Sequence, residues 1–104
     1  MKYIVDIDNT ICKTVDSQYP MSQPMMDRID KINQLYKDGH TIIYWTARGG
    51  NSGIDWSELT KQQLTEWGCL YHELKLGKPA YDIWIDDKAI NSEIFFNEDI
   101  GNRL

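Results

Sequence analysis

Three short apolar segments limit what this chain can fold into. Tyr3–Ile7, Thr41–Trp45 and Asp82–Ile85 are rich in β-branched and aromatic residues and show little polar alternation. Strands that are apolar on both faces belong to a buried parallel sheet, the core of an α/β domain. Each segment also ends on a chemically useful residue. The first closes on Asp6 and Asp8, the second on Thr46, and the last on Asp86 and Asp87.

The intervals read as helices and loops. After a polar stretch from Asn9 to Gln23, Pro24 suits the first turn of a helix, with Ser22 or Gln23 near its cap. Met25, Ile29, Ile32, Leu35 and Tyr36 recur at helical spacing, and Gly39 terminates the run. Arg48 to Gly53 is a glycine-rich loop. Asp55 or Ser57 caps a second helix carrying Leu59, Leu64 and Trp67, which ends at Gly68. Leu70 to Leu74 is a weaker strand, and Ala89 to Phe96 is a short helix or helical turn. The sequence thus predicts a single domain, residues 1–104, built as a small three-layer α/β/α Rossmann-like parallel sheet with helices on both faces.

Composition narrows the class of partner. The formal charge of −5 argues against non-specific nucleic-acid binding and in favour of cations, or of anions held through a metal. No apolar run approaches the roughly 20 residues that span a bilayer, and Asp6 interrupts the start where a signal peptide stays apolar. Cys12 and Cys69 form no ligand cluster, as expected of reduced thiols in a cytoplasmic protein.

In open parallel sheets ligands collect at the carboxyl ends of the strands. Asp6, Asp8, Thr46, Asp86 and Asp87 all follow strands, and Lys78 lies in the loop leading to the last one. Several carboxylates at one rim repel each other unless a cation compensates them. Oxygen-only ligation by few residues suits Mg²⁺ sharing its shell with a phosphate. Each residue has an ordinary use alone: Asp8 in a turn, Thr46 as a cap, Lys78 as a solvated charge. Their shared position after apolar strands is what points to one site.

These residues carry a resemblance. Asp6-Ile7-Asp8-Asn9-Thr10 resembles the DxDx[T/V] signature of the haloacid dehalogenase (HAD) phosphohydrolase superfamily. Thr46, Lys78-Pro79 and Ile85-Asp86-Asp87 resemble its three later motifs, in the family's order. By that resemblance Asp6 is the nucleophile that becomes an aspartyl phosphate, and Asp8 is the general acid and then the base. Asp6, the backbone carbonyl of Asp8, and Asp86 hold Mg²⁺, with Asp87 orienting a metal-bound water or acting as a further ligand. Thr46 and Lys78 bind the phosphoryl oxygens; separately, Arg48, as a wall of the rim, is expected to clamp an anionic, phosphate or sugar group. The implied protein is a Mg²⁺-dependent phosphatase acting on a sugar phosphate or related metabolite. It is similar to small HAD-like proteins associated with capsule and polysaccharide biosynthesis.

The sequence departs from the family pattern in two places. Ile85 stands where a Gly usually precedes the fourth motif, and Asn91 is the nearest polar residue where a further acid often follows. The gaps Ile11–Gln23 and Ile54–Gly77 leave no room for a cap domain, so the site is expected to be capless. Either the substrate is large or another subunit, in a homo-oligomer, covers the rim. Lys13 and Tyr19 of the flap, with Arg48 and Asn51, are the expected walls. Competing readings are a polynucleotide-end phosphatase, a phospho-acceptor receiver module and a binding domain without turnover. The acidic charge weighs against the first. The order of Lys78 before the second acidic pair weighs against the receiver, and the intact set of motif residues against the last.

Overall fold

The β-branched runs near the start and the middle of the chain pair directly with one another. In the computed structural model, which describes residues 1–50 and 52–97, strand β1 (Lys2–Val5) lies parallel to β4 (Thr41–Trp45). The register runs from Lys2 opposite Thr41 to Val5 opposite Tyr44. On the other side of β4, β5 (Glu73–Lys75) is also parallel, so β1 is an edge of the order β1-β4-β5. The chain is therefore a small α/β fold with a three-stranded parallel sheet.

Between β1 and the first helix the flap folds on itself. Strands β2 (Cys12–Lys13) and β3 (Gln23–Pro24) form an antiparallel ribbon around a 3₁₀ turn at Tyr19–Met21. Pro24 thus belongs to the ribbon, opposite Cys12, and does not open the helix as its position suggests. Helix α1 starts later, at Met26–Lys37, because the Met25 N–H is drawn to the Ile11 carbonyl at 2.9 Å. Ser22 does not cap α1; its N–H closes the 3₁₀ turn on the Tyr19 carbonyl, and its hydroxyl pairs with that of Thr14 at 2.7 Å. At the far end Gly39 takes φ +94°, and the His40 N–H closes the helix on the Leu35 carbonyl at 3.1 Å.

Helix α2 spans Ser57–Glu66, preceded by a turn in which Asp55 accepts both the backbone N–H and the hydroxyl of Ser57. Helix α3 spans Ser92–Asn97 and is capped by Asn91, whose side-chain oxygen accepts the Glu93 N–H at 2.9 Å. Ile29 and Ile32 of α1, Leu64 of α2 and Phe95 of α3 join one cluster with Val5, Ile7, Ile42 and Tyr44. Paired residues of a parallel ladder share a face, so Val5 and Tyr44 mark the covered side of the sheet. Ile4, Ile43 and Trp45 point the other way, where Ile43 is buried and Trp45 half-buried.

The fourth expected strand is not among the described strands. Asp82–Ile85 lies outside the described strands, with Ile83 78% and Ile85 93% exposed. The connection gives the reason. Only residues 76–81 separate β5 from this segment, whereas a parallel crossover takes about a dozen residues or more, usually a helix that would cover the second face. In the chain as described, Trp84 instead rests edge-on against Trp45 at 6.2 Å.

Candidate functional site

The site is built by the turn that follows β1. Ile7 is buried, and its carbonyl accepts the N–H groups of Thr10 and Ile11 at 3.1 and 3.0 Å. Asn9 takes the left-handed conformation, φ +61°, which Asn tolerates better than most residues, and its N–H reaches the Cys12 carbonyl at 2.7 Å. Asp6 and Asp8 flank Ile7 and face away from the core. They line a cleft of about 370 Å³ together with Asn9, Thr14, Asp16, Ser17, Tyr19, Thr46, Ala47 and Arg48.

Asp6 sits 3.6 Å from the Lys78 ammonium and receives the Thr10 hydroxyl at 3.4 Å. Burial pushes its pKa above the usual carboxylate value; Lys78 and the Ile7 N–H oppose that shift, and Asp8 adds to it. Lys78 is brought there by its own backbone, whose N–H donates to the Thr46 carbonyl at 3.1 Å. Its ammonium also faces the rings of Tyr81 and Trp84 at 5.2 and 5.7 Å. Thr46 is fully buried at the end of β4, and its hydroxyl accepts the Arg48 N–H at 3.2 Å, leaving its own proton to donate. Asp6, Thr46 and Lys78 therefore converge as the sequence predicts.

Arg48 lies in the site in another role. Its side chain is 2% exposed and its donors are committed. Nε and Nη2 fork onto Asp8 at 3.0 and 2.8 Å, and Nη1 donates to Thr60 at 3.1 Å and to Gln63 at 2.6 Å. The Tyr19 ring stacks on the guanidinium at 4.7 Å. Rather than clamping a ligand, Arg48 holds Asp8. Thr14 adds an O–H donor to the same Asp8 oxygen at 2.6 Å. Thr14, Thr60 and Gln63 escape sequence reading. The signal was available in part: Thr60 and Gln63 share with Leu64 and Trp67 one helical face, so two polar residues interrupt an apolar stripe.

The C-terminal acids are elsewhere. Asp86 and Asp87 are exposed, and Asp86 accepts the Lys88 N–H at 2.8 Å. Hydrogen bonds from that N–H and from neighbouring side chains hold the Asp86 carboxyl below its usual value. Asn91 is spent capping α3. Of the expected walls, Tyr19 lines the cleft, exposed Lys13 is not among its lining residues, and Asn51 lies outside the described residues. Among the described residues no three His, Cys, Asp or Glu side chains gather to hold a metal. One chain offers Asp6, already beside Lys78, and an Asp8 occupied by Arg48. With the Asp8 backbone carbonyl, Asp6 is the group there that would hold Mg²⁺, whose remaining positions waters and a substrate phosphate commonly fill.

The chain is similar to the crystal structure of an MCSG target from Vibrio cholerae. The match has 29% identity and a TM-score of 0.83, and it covers 97% of this chain and 94% of the other. No family model and no curated protein matches the chain. Among the described residues no helix is long and apolar enough to cross a membrane. Cys12 and Cys69 are both free and buried.

Proposed function

We propose that the chain is a phosphomonoester hydrolase of the haloacid dehalogenase type, acting through an aspartyl phosphate on a phosphorylated small molecule such as a sugar phosphate. One observation supports this most: the Asp6 carboxylate lies 3.6 Å from the Lys78 ammonium, at the carboxyl end of β1 and beside the buried Thr46 hydroxyl. A nucleophile, a cation and a hydroxyl donor around one small volume are what phosphoryl transfer asks of a protein, which mostly positions groups and offsets charge.

In this reading an Asp6 oxygen attacks phosphorus, the bond to the leaving oxygen breaks, and Lys78 and Thr46 hold the phosphoryl oxygens. Water then attacks the aspartyl phosphate, its proton passes to Asp8, and Asp6 and inorganic phosphate are released. Donors aimed at Asp8, two from Arg48, one from Thr14 and the Cys12 thiol, leave its oxygens as acceptors, which suits the second half of that sequence. As the acid for the leaving group, Asp8 works only when a proton replaces an Arg48 contact. Bound by Asp6 and the Asp8 backbone carbonyl, Mg²⁺ would offset charge on the phosphoryl oxygens.

The test is turnover of a generic aryl phosphate by the wild type and by Asp6→Asn. Loss of the nucleophile is expected to lower kcat by at least about 10³. Full activity in Asp6→Asn, or a wild type that hydrolyses no phosphomonoester, overturns the reading. The competing reading is a phospho-acceptor that hydrolyses slowly. Such a protein, given acetyl phosphate, keeps a stable aspartyl phosphate, whereas the phosphatase turns it over.

A further inference from the structure

We infer that Asp82–Asp86 is a strand exchanged between two copies of the chain, added parallel to the free edge of β1, so that each copy's rim is completed by the other's Asp86. The segment has strand composition, yet in the single chain Ile83 and Ile85 are 78% and 93% exposed. The place it suits is open as well. β1 is paired on the β4 side only, and its Ile4 is 60% exposed. Parallel alignment sets Ile83, Trp84, Ile85 and Asp86 beside Tyr3, Ile4, Val5 and Asp6. Ile83 and Ile85 then lie on the face of Val5, Trp84 covers the exposed Ile4 on the opposite face, and Asp86 reaches the rim beside Asp6.

The same chain cannot place the strand there in that direction. Lys78 is fixed at the carboxyl end of the sheet by its N–H on the Thr46 carbonyl and its ammonium beside Asp6. The amino end of the new strand, level with Lys2 and Thr41, is about 16 Å back along β4 and about 10 Å to the side across two strand spacings. The straight line is about 19 Å, while the chain from Lys78 to Asp82 spans at most about 14 Å. An antiparallel return lies within reach, but it carries Asp86 to the opposite end of the sheet from Asp6, and the described chain does not take it. A short hinge beside an unsatisfied edge is the condition for exchange between identical copies, and two-fold symmetry satisfies both edges at once. Helix α3 stays with its own chain through Phe95 in the core and Glu93 on Arg28 at 2.9 Å.

The open edge and the exposed segment stand on geometry alone; the parallel direction and the role of Asp86 in the site rest on the phosphatase reading. Sedimentation of the wild type is expected to give about twice the 12.2 kDa chain mass, with the amides of Ile83–Ile85 protected from hydrogen exchange. Ile4→Cys combined with Trp84→Cys is expected to oxidise to a covalent dimer. Inserting about a dozen Gly and Ser residues between Pro79 and Ala80 removes the length limit and is expected to yield monomer. A wild-type monomer, unprotected amides at 83–85, an intrachain 4–84 link or a dimer without the link overturns the exchange. Asp6→Asn and Asp86→Asn, unfolded and refolded together, are expected to recover about a quarter of wild-type activity, since half of randomly paired dimers carry one intact rim. No recovery beside an interchain 4–84 link rejects the shared site and keeps the strand. A wild type inactive on phosphomonoesters rejects the enzyme reading instead.

Discussion

Arg48 decides what Asp8 is free to do. Its guanidinium is inaccessible and bonds Asp8, Thr60 and Gln63 at once, so the interactions share one planar group. Lysine cannot reproduce the fork. Arg48→Lys is expected to cost about 2–4 kcal/mol, because it breaks a largely buried pair and leaves two oxygens on α2 short of a donor. A lowered denaturation midpoint at unchanged m-value checks this. Asp6 has the opposite economy. Burial raises its pKa, so between its unfolded and folded values the native state keeps a proton that the unfolded chain has lost. Stability from this group therefore falls as pH rises through that window, and Asp6→Asn is expected to remove that slope. Lys78 pulls the same carboxyl down. Lys78→Met is expected to move the acid limb of the kcat/KM profile to higher pH, a shift that a merely structural lysine does not produce. An acid limb that stays in place or moves down refutes the pairing.

Loop geometry at the site is fixed by one glycine more than by the others. Gly49 has φ +82°, and a Cβ there would lie 2.4 Å from the Ile54 carbonyl oxygen, a backbone atom with little freedom. Gly39 has φ +94° but opens on free space. Gly39→Ala is expected to cost the left-handed penalty alone, about 1–2 kcal/mol, and Gly49→Ala clearly more, with the Arg48 loop displaced. Thermal unfolding of the two variants side by side measures the difference. The sequence pattern makes β1, β4 and the helices legible because each is stabilised by its own periodicity and by contacts with a neighbour in the chain. Asp6, Thr46 and Lys78 are legible for a related reason: each stands directly beside a strand end. Arg48 is not, since its partners sit on another element and only their polar intrusion on the apolar stripe of α2 hints at them. Asp82–Ile85 fails differently. An apolar run records that a segment is fit to pair, and says nothing about whether its connection can reach the edge in question. Residues 76–81 contain that answer in their number rather than in their chemistry.

At the scale of the molecule, charge sets the terms on which two copies meet. Each chain carries −5, so pairing brings like charges together and is opposed at low ionic strength. Added monovalent salt is expected to tighten the dimer by screening, and thermal unfolding is expected to shift upward with protein concentration, as it does when folding and association are linked. Divalent cations add a separable effect. If Asp86 of one copy stands beside Asp6 of the other, their oxygens form a fuller cation site than either chain has alone. MgCl₂ is then expected to strengthen the dimer beyond NaCl of equal ionic strength, and Asp86→Asn is expected to abolish that excess while keeping the response to NaCl. Sedimentation at matched ionic strength separates the two. Equal effects of the two salts on the wild type mean that the exchanged strand brings no cation site to the rim, however firmly the copies are joined.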